Sequence, residues 1–119
     1  MIVMIFEFEV AKKELDDYFM ESNALREHLE GIEGFISVER FESGTQPGRF
    51  VAIGYFEDEE AVRQWRNLPV HRRAQTLGRT RFFTNFRLVM ADVKRDYTHD
   101  LGRSTAPHDS NVAHNTGQV

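Results

Sequence analysis

The chain has 119 residues, a formal net charge of −4 and a pI of about 5.7, which fit one acidic globular domain and give no reason to expect a nucleic-acid binder. It contains no cysteine, which excludes a disulfide framework, a thiolate metal site and a cysteine nucleophile. The first apolar run is too short for a signal peptide, and no stretch reaches the roughly 20 apolar residues of a membrane span. We therefore expect a soluble, cytoplasmic protein with no membrane partner.

The charges are unevenly distributed along the chain. Residues 1–60 hold 15 acids and 5 bases, whereas residues 61–91 hold seven arginines and no acid. The arginines are spread over predicted helices and a strand, so we interpret most of them as a solvated helix face that pairs with the acidic first helix. Binding of an anionic small molecule is the alternative that this block leaves open.

The first 34 residues predict a strand followed by a helix. Residues 1–10 alternate in the period of a strand, and residues 12–32 repeat apolar side chains at three- and four-residue steps. Gly31 and Gly34 then supply a stop and a turn. One face of the predicted strand is formed by Ile2, Met4, Phe6, Phe8 and Val10.

The next segment predicts a hairpin and a broken helix. Residues 35–41 and 50–56 have strand character, and the turn-rich segment 43–48 joins them. Asp58 is the predicted N-cap of a helix that runs to about Arg66, and Pro69 begins a second piece that Gly78 ends. Residues 82–97 predict a long last strand, with Phe83, Asn85 and Arg87 on one face.

The predicted order β-α-β-β-α-β is the ferredoxin-like plan, an α+β fold with an antiparallel four-stranded sheet and both helices on one face. The other face would be left open although it is apolar, and its predicted members are Val3, Ile5, Phe35, Val51 and Ile53. We therefore expect a homodimer in which two sheets pack face to face.

The predicted domain ends at residue 97. Residues 98–119 form a polar tail without aromatic side chains, which would need a neighbour such as a partner subunit to become ordered. Its histidines, His99, His108 and His114, match no compact metal site, so no metal is expected there. The chain also lacks a dinucleotide-binding glycine motif, a P-loop, a serine-hydrolase elbow and a zinc-protease motif.

Three segments resemble a known family. They are GIEGFISVERFES at residues 31–43, FEDEEA at residues 56–61 and WRNLPVHRRAQ at residues 65–75. Together they resemble the antibiotic biosynthesis monooxygenase family. The resemblance covers residues 1–97 and implies a dimeric α+β barrel with a pocket between the helices and the sheet.

One branch of that family degrades haem, and its pattern is largely missing. It uses an Asn on the first strand, the Trp of the second helix and a His ten residues after that Trp. Here Trp65 matches, but Phe6 stands at the Asn position and Gln75 at the His position. Haem degradation is therefore the third-ranked function.

Another branch oxygenates aromatic polyketides without a cofactor, and this chain resembles it through the fold and Trp65. His71 is the only His in the second-helix region, and we predict Trp65 and His71 as the catalytic residues. A phenol must lose a proton before it reacts with oxygen, which calls for a base or hydrogen-bond partner such as His71. Arg87 or Arg40 would stabilise the resulting anion. The predicted residues for binding the aromatic substrate are Phe6, Gln75, Phe83, Asn85 and Arg87.

Each of these side chains also has a purely structural interpretation, since an inward Trp on a helix is commonly core. A non-catalytic dimer that binds a small ligand or acts through protein contacts therefore remains the alternative to a cofactor-independent monooxygenase.

Overall fold

The computed structural model describes residues 1–99 and 107–109, and most of the predicted tail at 98–119 lies outside the described residues. The antiparallel sheet has the strand order β2-β3-β1-β4. Its strands are β1 (Ile2–Val10), β2 (Phe35–Glu42), β3 (Arg49–Phe56) and β4 (Phe83–Asp92), and the helices are α1 (Leu15–Leu29), α2 (Glu59–Asn67) and α3 (Pro69–Leu77). The predicted ferredoxin-like α+β fold is confirmed. Across these residues, no helix combines the length and apolar character needed to cross a membrane.

The start of α2 and the break between α2 and α3 form as predicted. The carboxylate of Asp58 accepts a hydrogen bond from the backbone N–H of Ala61 at 2.9 Å, which caps α2. Leu68 takes an extended conformation, with φ −59° and ψ 134°, and Pro69 begins α3. Because proline has no N–H and a fixed φ, it is well suited to this first helical position.

The last strand is shorter than predicted. Gly78 ends α3 as predicted, because α3 covers Pro69–Leu77 and Gly78 is its C-cap. A π-helical turn, Gly78–Phe82, then leads to β4, which begins at Phe83. β4 lies at the edge of the sheet and pairs with β1. At the end of this pairing Asp92 lies opposite Ile2, and the N–H of Val93 donates to the carbonyl of Met1. The strand predicted to reach residue 97 therefore ends at Asp92, where its pairing with β1 ends.

The core fills the space between the helices and one face of the sheet. Two clusters of buried side chains form it, one around Phe56 and Val62 and one around Phe8 and Phe82. Phe8 and Phe56 are 2% and 1% exposed. The alternation predicted for β1 is confirmed, because Ile2, Met4, Phe8 and Val10 are all buried on the helix side.

The opposite face of the sheet carries the predicted apolar patch, with one correction. Val3, Ile5, Val51 and Ile53 are half-buried there, but Phe35 packs in the core with its ring 5.8 Å from that of Phe56. The reason is a register shift between Phe35 and Ser37, which inserts one residue and turns Phe35 to the helix side.

Candidate functional site

A cavity of about 340 Å³ lies between the helices and the sheet. Its floor contains one cross-strand row of the sheet, in which Leu88, Phe6, Ala52 and Arg40 are paired on successive strands. Ala52 is the smallest side chain of that row, so space remains above it. The row therefore sets an apolar floor with one cationic end.

Aromatic rings make up much of the wall. The ring of Phe6 stacks on Phe8 at 4.9 Å and meets Phe83 edge-on at 5.5 Å. Phe86 and Leu88, 45% and 51% exposed, lie at the β4 side of the cavity, so this side is open to solvent. Such a surface suits a flat hydrophobic molecule.

Trp65 and His71 form a ring pair in the cavity wall. Trp65 is near the end of α2 and His71 is in the first turn of α3, and the extended Leu68 between the helices lets the two rings meet with centroids 4.0 Å apart. Within the described part of the chain, Trp65 Nε1 and His71 Nδ1 are buried and have no hydrogen-bond partner. Leaving such groups unpaired is unfavourable by roughly 1–3 kcal/mol each, which a ligand atom that reached them would recover.

His71 is a neutral imidazole at neutral pH. It is 8% exposed, and burial, with a smaller contribution from the charge of Arg72, lowers its pKa to about 4. The structure thus corrects the expectation of a base with a near-neutral pKa. The side chain can exchange hydrogen bonds with a ligand, but in the empty cavity it is a weak proton acceptor.

Gln75 also lines the cavity, one turn after His71 on α3. Its Oε1 accepts a hydrogen bond from Arg72 Nη1 at 3.0 Å, which holds the amide at the helix surface. Of the seven residues predicted for the site, the structure gathers five around this cavity, namely Phe6, Trp65, His71, Gln75 and Phe83. Their roles remain predictions.

Asn85 and Arg87 lie elsewhere, and their predicted face is wrong. They share the far side of the sheet with Glu7 and Glu9, and Arg87 Nη1 is 4.0 Å from Glu7 Oε2. The cause is a bulge in the pairing of β1 with β4, where Val10 pairs with Phe83 but Glu9 pairs with Asn85. The extra residue turns Phe83 inward and leaves the next odd-numbered side chains outward.

A second polar group in the cavity, formed by side chains of α1 and β2, was not predicted from the sequence. Tyr18 and Ser22 of α1 face Arg40 of β2 across the cavity wall, and Arg40 Nη1 donates to Ser22 Oγ at 3.0 Å. Burial raises the pKa of Tyr18 above 10.0, although Arg40 and Ser22 act in the opposite direction. The spacing of Leu15, Tyr18 and Ser22 at three- and four-residue steps indicates that they share one face of α1.

No metal centre is visible in residues 1–99 and 107–109, where no three His, Cys, Asp or Glu side chains lie close enough together to hold an ion.

Comparison with known proteins shows several relatives. The chain is 30% identical over 93 residues to a protein of Pyricularia oryzae named Jasmonate monooxygenase ABM, covering 78% of this chain and 43% of that protein. The chain therefore spans less than half the length of this curated relative.

Solved structures share the fold at low identity. One named antibiotic biosynthesis monooxygenase superposes with a TM-score of 0.69 at 18% identity, covering 78% of this chain and 98% of the other. Rv0793 from Mycobacterium tuberculosis gives a TM-score of 0.72 at 14% identity, with 82% and 98% covered. A conserved protein from Methanosarcina mazei gives 0.72 at 14% identity, with 78% and 92% covered.

The sequence model described as "Antibiotic biosynthesis monooxygenase" matches residues 1–77, which contain β1 to β3 and all three helices. This match covers more than half of the sequence and includes the Trp65–His71 pair. The chain belongs to the antibiotic biosynthesis monooxygenase family.

Proposed function

We propose that this protein is a cofactor-independent monooxygenase that oxidises a small aromatic or quinone-like molecule in the cavity. The observation that carries the proposal is the Trp65–His71 pair, two buried ring nitrogens without partners in the described residues, set in an otherwise largely apolar cavity. Such a site holds a hydrophobic molecule and satisfies one or two of its polar atoms.

The reaction that fits is oxidation of a phenol to a quinone by O₂. The phenol loses its hydroxyl proton, the electron-rich ring carbon bonds to one oxygen atom of O₂, and the other oxygen atom leaves as water. One C–H and one O–H bond of the substrate are lost, so the substrate itself supplies the electrons. No reductant has to enter the balance.

Trp65 and His71 have distinct roles in this proposal. The indole N–H donates to the substrate oxygen, and the neutral imidazole accepts or donates a second hydrogen bond that orients the ring. As negative charge develops on the substrate oxygen, it raises the pKa of His71 from about 4 towards its ordinary value. The imidazole therefore becomes a better proton acceptor when the phenol ionises beside it.

An oxygen electrode tests the proposal with metal-free protein and a panel of polyphenols and hydroxynaphthoquinones. We expect oxygen uptake that falls at least tenfold in Trp65→Phe and in His71→Gln. Arg66→Gln is the matched control, because Arg66 is exposed on α2 beside Trp65 and does not line the cavity. Saturable binding without uptake would instead indicate the non-catalytic ligand-binding alternative, and unchanged uptake in both cavity variants would refute the site.

We also propose that the active form is a homodimer. On the sheet face away from the helices, Ile5 pairs with Ile53 on one side and with Val89 on the other, which makes a continuous apolar row. No element in the described residues covers it, and a second copy of the sheet would. Sedimentation at micromolar concentration should give a dimer that Ile53→Glu dissociates; a wild-type monomer would contradict the proposal.

A further inference from the structure

Arg40 has no carboxylate partner among residues 1–99 and 107–109, whereas several other arginines there are paired with an acid. Arg81 Nε is 2.8 Å from Glu14 Oε2, Arg73 is 3.2 Å from Glu21, and Arg63 is 2.6 Å from Glu60. In each of these pairs the arginine side chain is exposed. Arg40 is half-buried at the cavity wall, where an uncompensated positive charge is costly.

Aromatic rings fix the position of the Arg40 guanidinium. Its central carbon lies 4.6 Å from the ring centroid of Phe19 and 5.4 Å from that of Tyr18. Rings that contact the face of a guanidinium leave the N–H groups at its edge available. One N–H donates to Ser22 Oγ, and a guanidinium has five. Unused donors therefore remain for a second partner.

The acids near the cavity do not neutralise Arg40. Glu21 lines the cavity but binds Arg73, and Glu39 precedes Arg40 on β2, so its side chain points to the opposite face of the sheet. The other basic lining residues are Arg26, which donates to the carbonyl of Val38, and Arg79. Three arginines line the cavity, and of the two glutamates in its lining only Glu21 lies on the cavity side, so positive charge is in excess.

We propose that Arg40, with Ser22 beside it, binds an anionic group carried by the ligand, so that the substrate class is hydrophobic acids with a carboxylate or sulfonate head. This assignment of a substrate class deepens the proposed function. It rests on the proposed function only where a reaction is concerned, because Arg40 can bind an anion whether or not the ligand is oxidised. It differs from stabilising a charge created during the reaction, since the ligand brings the charge with it.

The register of the sheet also offsets the anchor from the Trp65–His71 pair along the strands. Trp65 packs on Phe56, which pairs with Ile2, whereas Arg40 lies in the row of Phe6, four residues further along β1. Four residues of strand span roughly 13 Å. A ligand with its charged head at Arg40 and its reactive ring near Trp65 is therefore about the size of two or three fused or linked rings.

A pair of fluorescent probes tests this anchor without any turnover. 8-Anilinonaphthalene-1-sulfonate is anionic, and N-phenyl-1-naphthylamine is the same ring system without the sulfonate. Trp65 is the only tryptophan and lines the cavity, so energy transfer from it reports binding at this site. We expect the wild-type protein to bind the anionic probe more tightly than the neutral one, by roughly tenfold to hundredfold.

The variants separate charge recognition from packing. Arg40→Gln should weaken binding of the anionic probe by about tenfold or more and change the neutral probe less than twofold, and Arg40→Lys should restore part of the difference. Arg63→Gln is the control, because it removes an exposed arginine of α2 that does not line the cavity.

Equal affinity of the two probes for the wild-type protein, or an equal loss of both in Arg40→Gln, would overturn the anchor. If Arg40→Gln does not fold, the wild-type probe ratio and Arg40→Lys decide the question. Absence of oxygen uptake would count against the reaction and leave this result intact.

Discussion

The burial of His71 predicts an acid-sensitive fold. Its pKa is about 4 in the folded protein against an ordinary value of 6.5, so between these two pH values the unfolded chain binds more protons than the folded one. Stability is therefore fully present above pH 6.5 and falls as the pH drops towards 4. For these two pKa values, the difference between pH 7 and pH 5 is about 2 kcal/mol, lost on acidification.

Urea unfolding at pH 7 and pH 5 measures this loss, and His71→Gln isolates it from the titration of carboxylates elsewhere. We expect the free energy of unfolding of the wild-type protein to fall by about 2 kcal/mol more than that of the variant, which cannot gain a proton at this position. The NMR shift of the His71 ring protons gives the folded-state pKa directly. A midpoint near 6.5, or the same acid loss in both proteins, would refute the interpretation.

Three further predictions concern the frame around the cavity. Asp58→Ala should lower the free energy of unfolding by about 1 kcal/mol in urea, because the N-cap bond to Ala61 is lost, whereas Asp58→Ser should retain most of it. Gly34→Ala should destabilise by more than about 1 kcal/mol, since Gly34 has φ +89° and a new Cβ would lie 2.9 Å from that of Ala61; wild-type stability would contradict the assigned backbone. Ala52→Leu should fill the cavity floor and weaken binding of N-phenyl-1-naphthylamine at least tenfold while the far-UV circular dichroism stays unchanged, and undiminished binding would place the probe elsewhere.

Local signals in the sequence were sufficient for the fold. The alternation in β1, the cap at Asp58 and the proline at residue 69 each act over a few residues, and each predicted a feature that the structure contains. The family resemblance of residues 65–75 then predicted that α2 and α3 line the cavity, and both helices do so. These features are readable because their physical causes lie within one or two turns of the chain.

The side chains predicted on the wrong face of the sheet have a common cause in two irregular strand pairings. A strict period of two places Phe83, Asn85 and Arg87 together, but the bulge opposite Val10 separates them. A second bulge moves Phe35 from the open face to the core. Whether an extra residue is accommodated depends on the partner strand and on what packs over it, which a single strand's sequence does not encode.

The two polar groups of the site differ in how far apart their residues lie in the sequence. His71 and Trp65 are close in sequence, and their pairing follows from the break at Pro69. The Arg40 cluster joins α1 to β2, and neither segment on its own shows that the arginine lacks an acid or that Phe19 lies 4.6 Å away. The strongly acidic character of residues 1–60 even suggests the reverse, that any base there is neutralised.

The cavity therefore has two polar positions of different chemistry around one apolar floor. Near α2 and α3, a neutral imidazole and an indole N–H have no hydrogen-bond partner among the described residues and can exchange hydrogen bonds with a ligand. Near α1 and β2, a guanidinium held on aromatic rings favours an anion. Their separation along β1 keeps the full charge of Arg40 away from His71, whose low pKa would otherwise be lowered further. A substrate that spans both positions would carry its permanent charge at one end and ionise at the other, so binding and reaction can be weakened separately by substitutions at Arg40 and at His71.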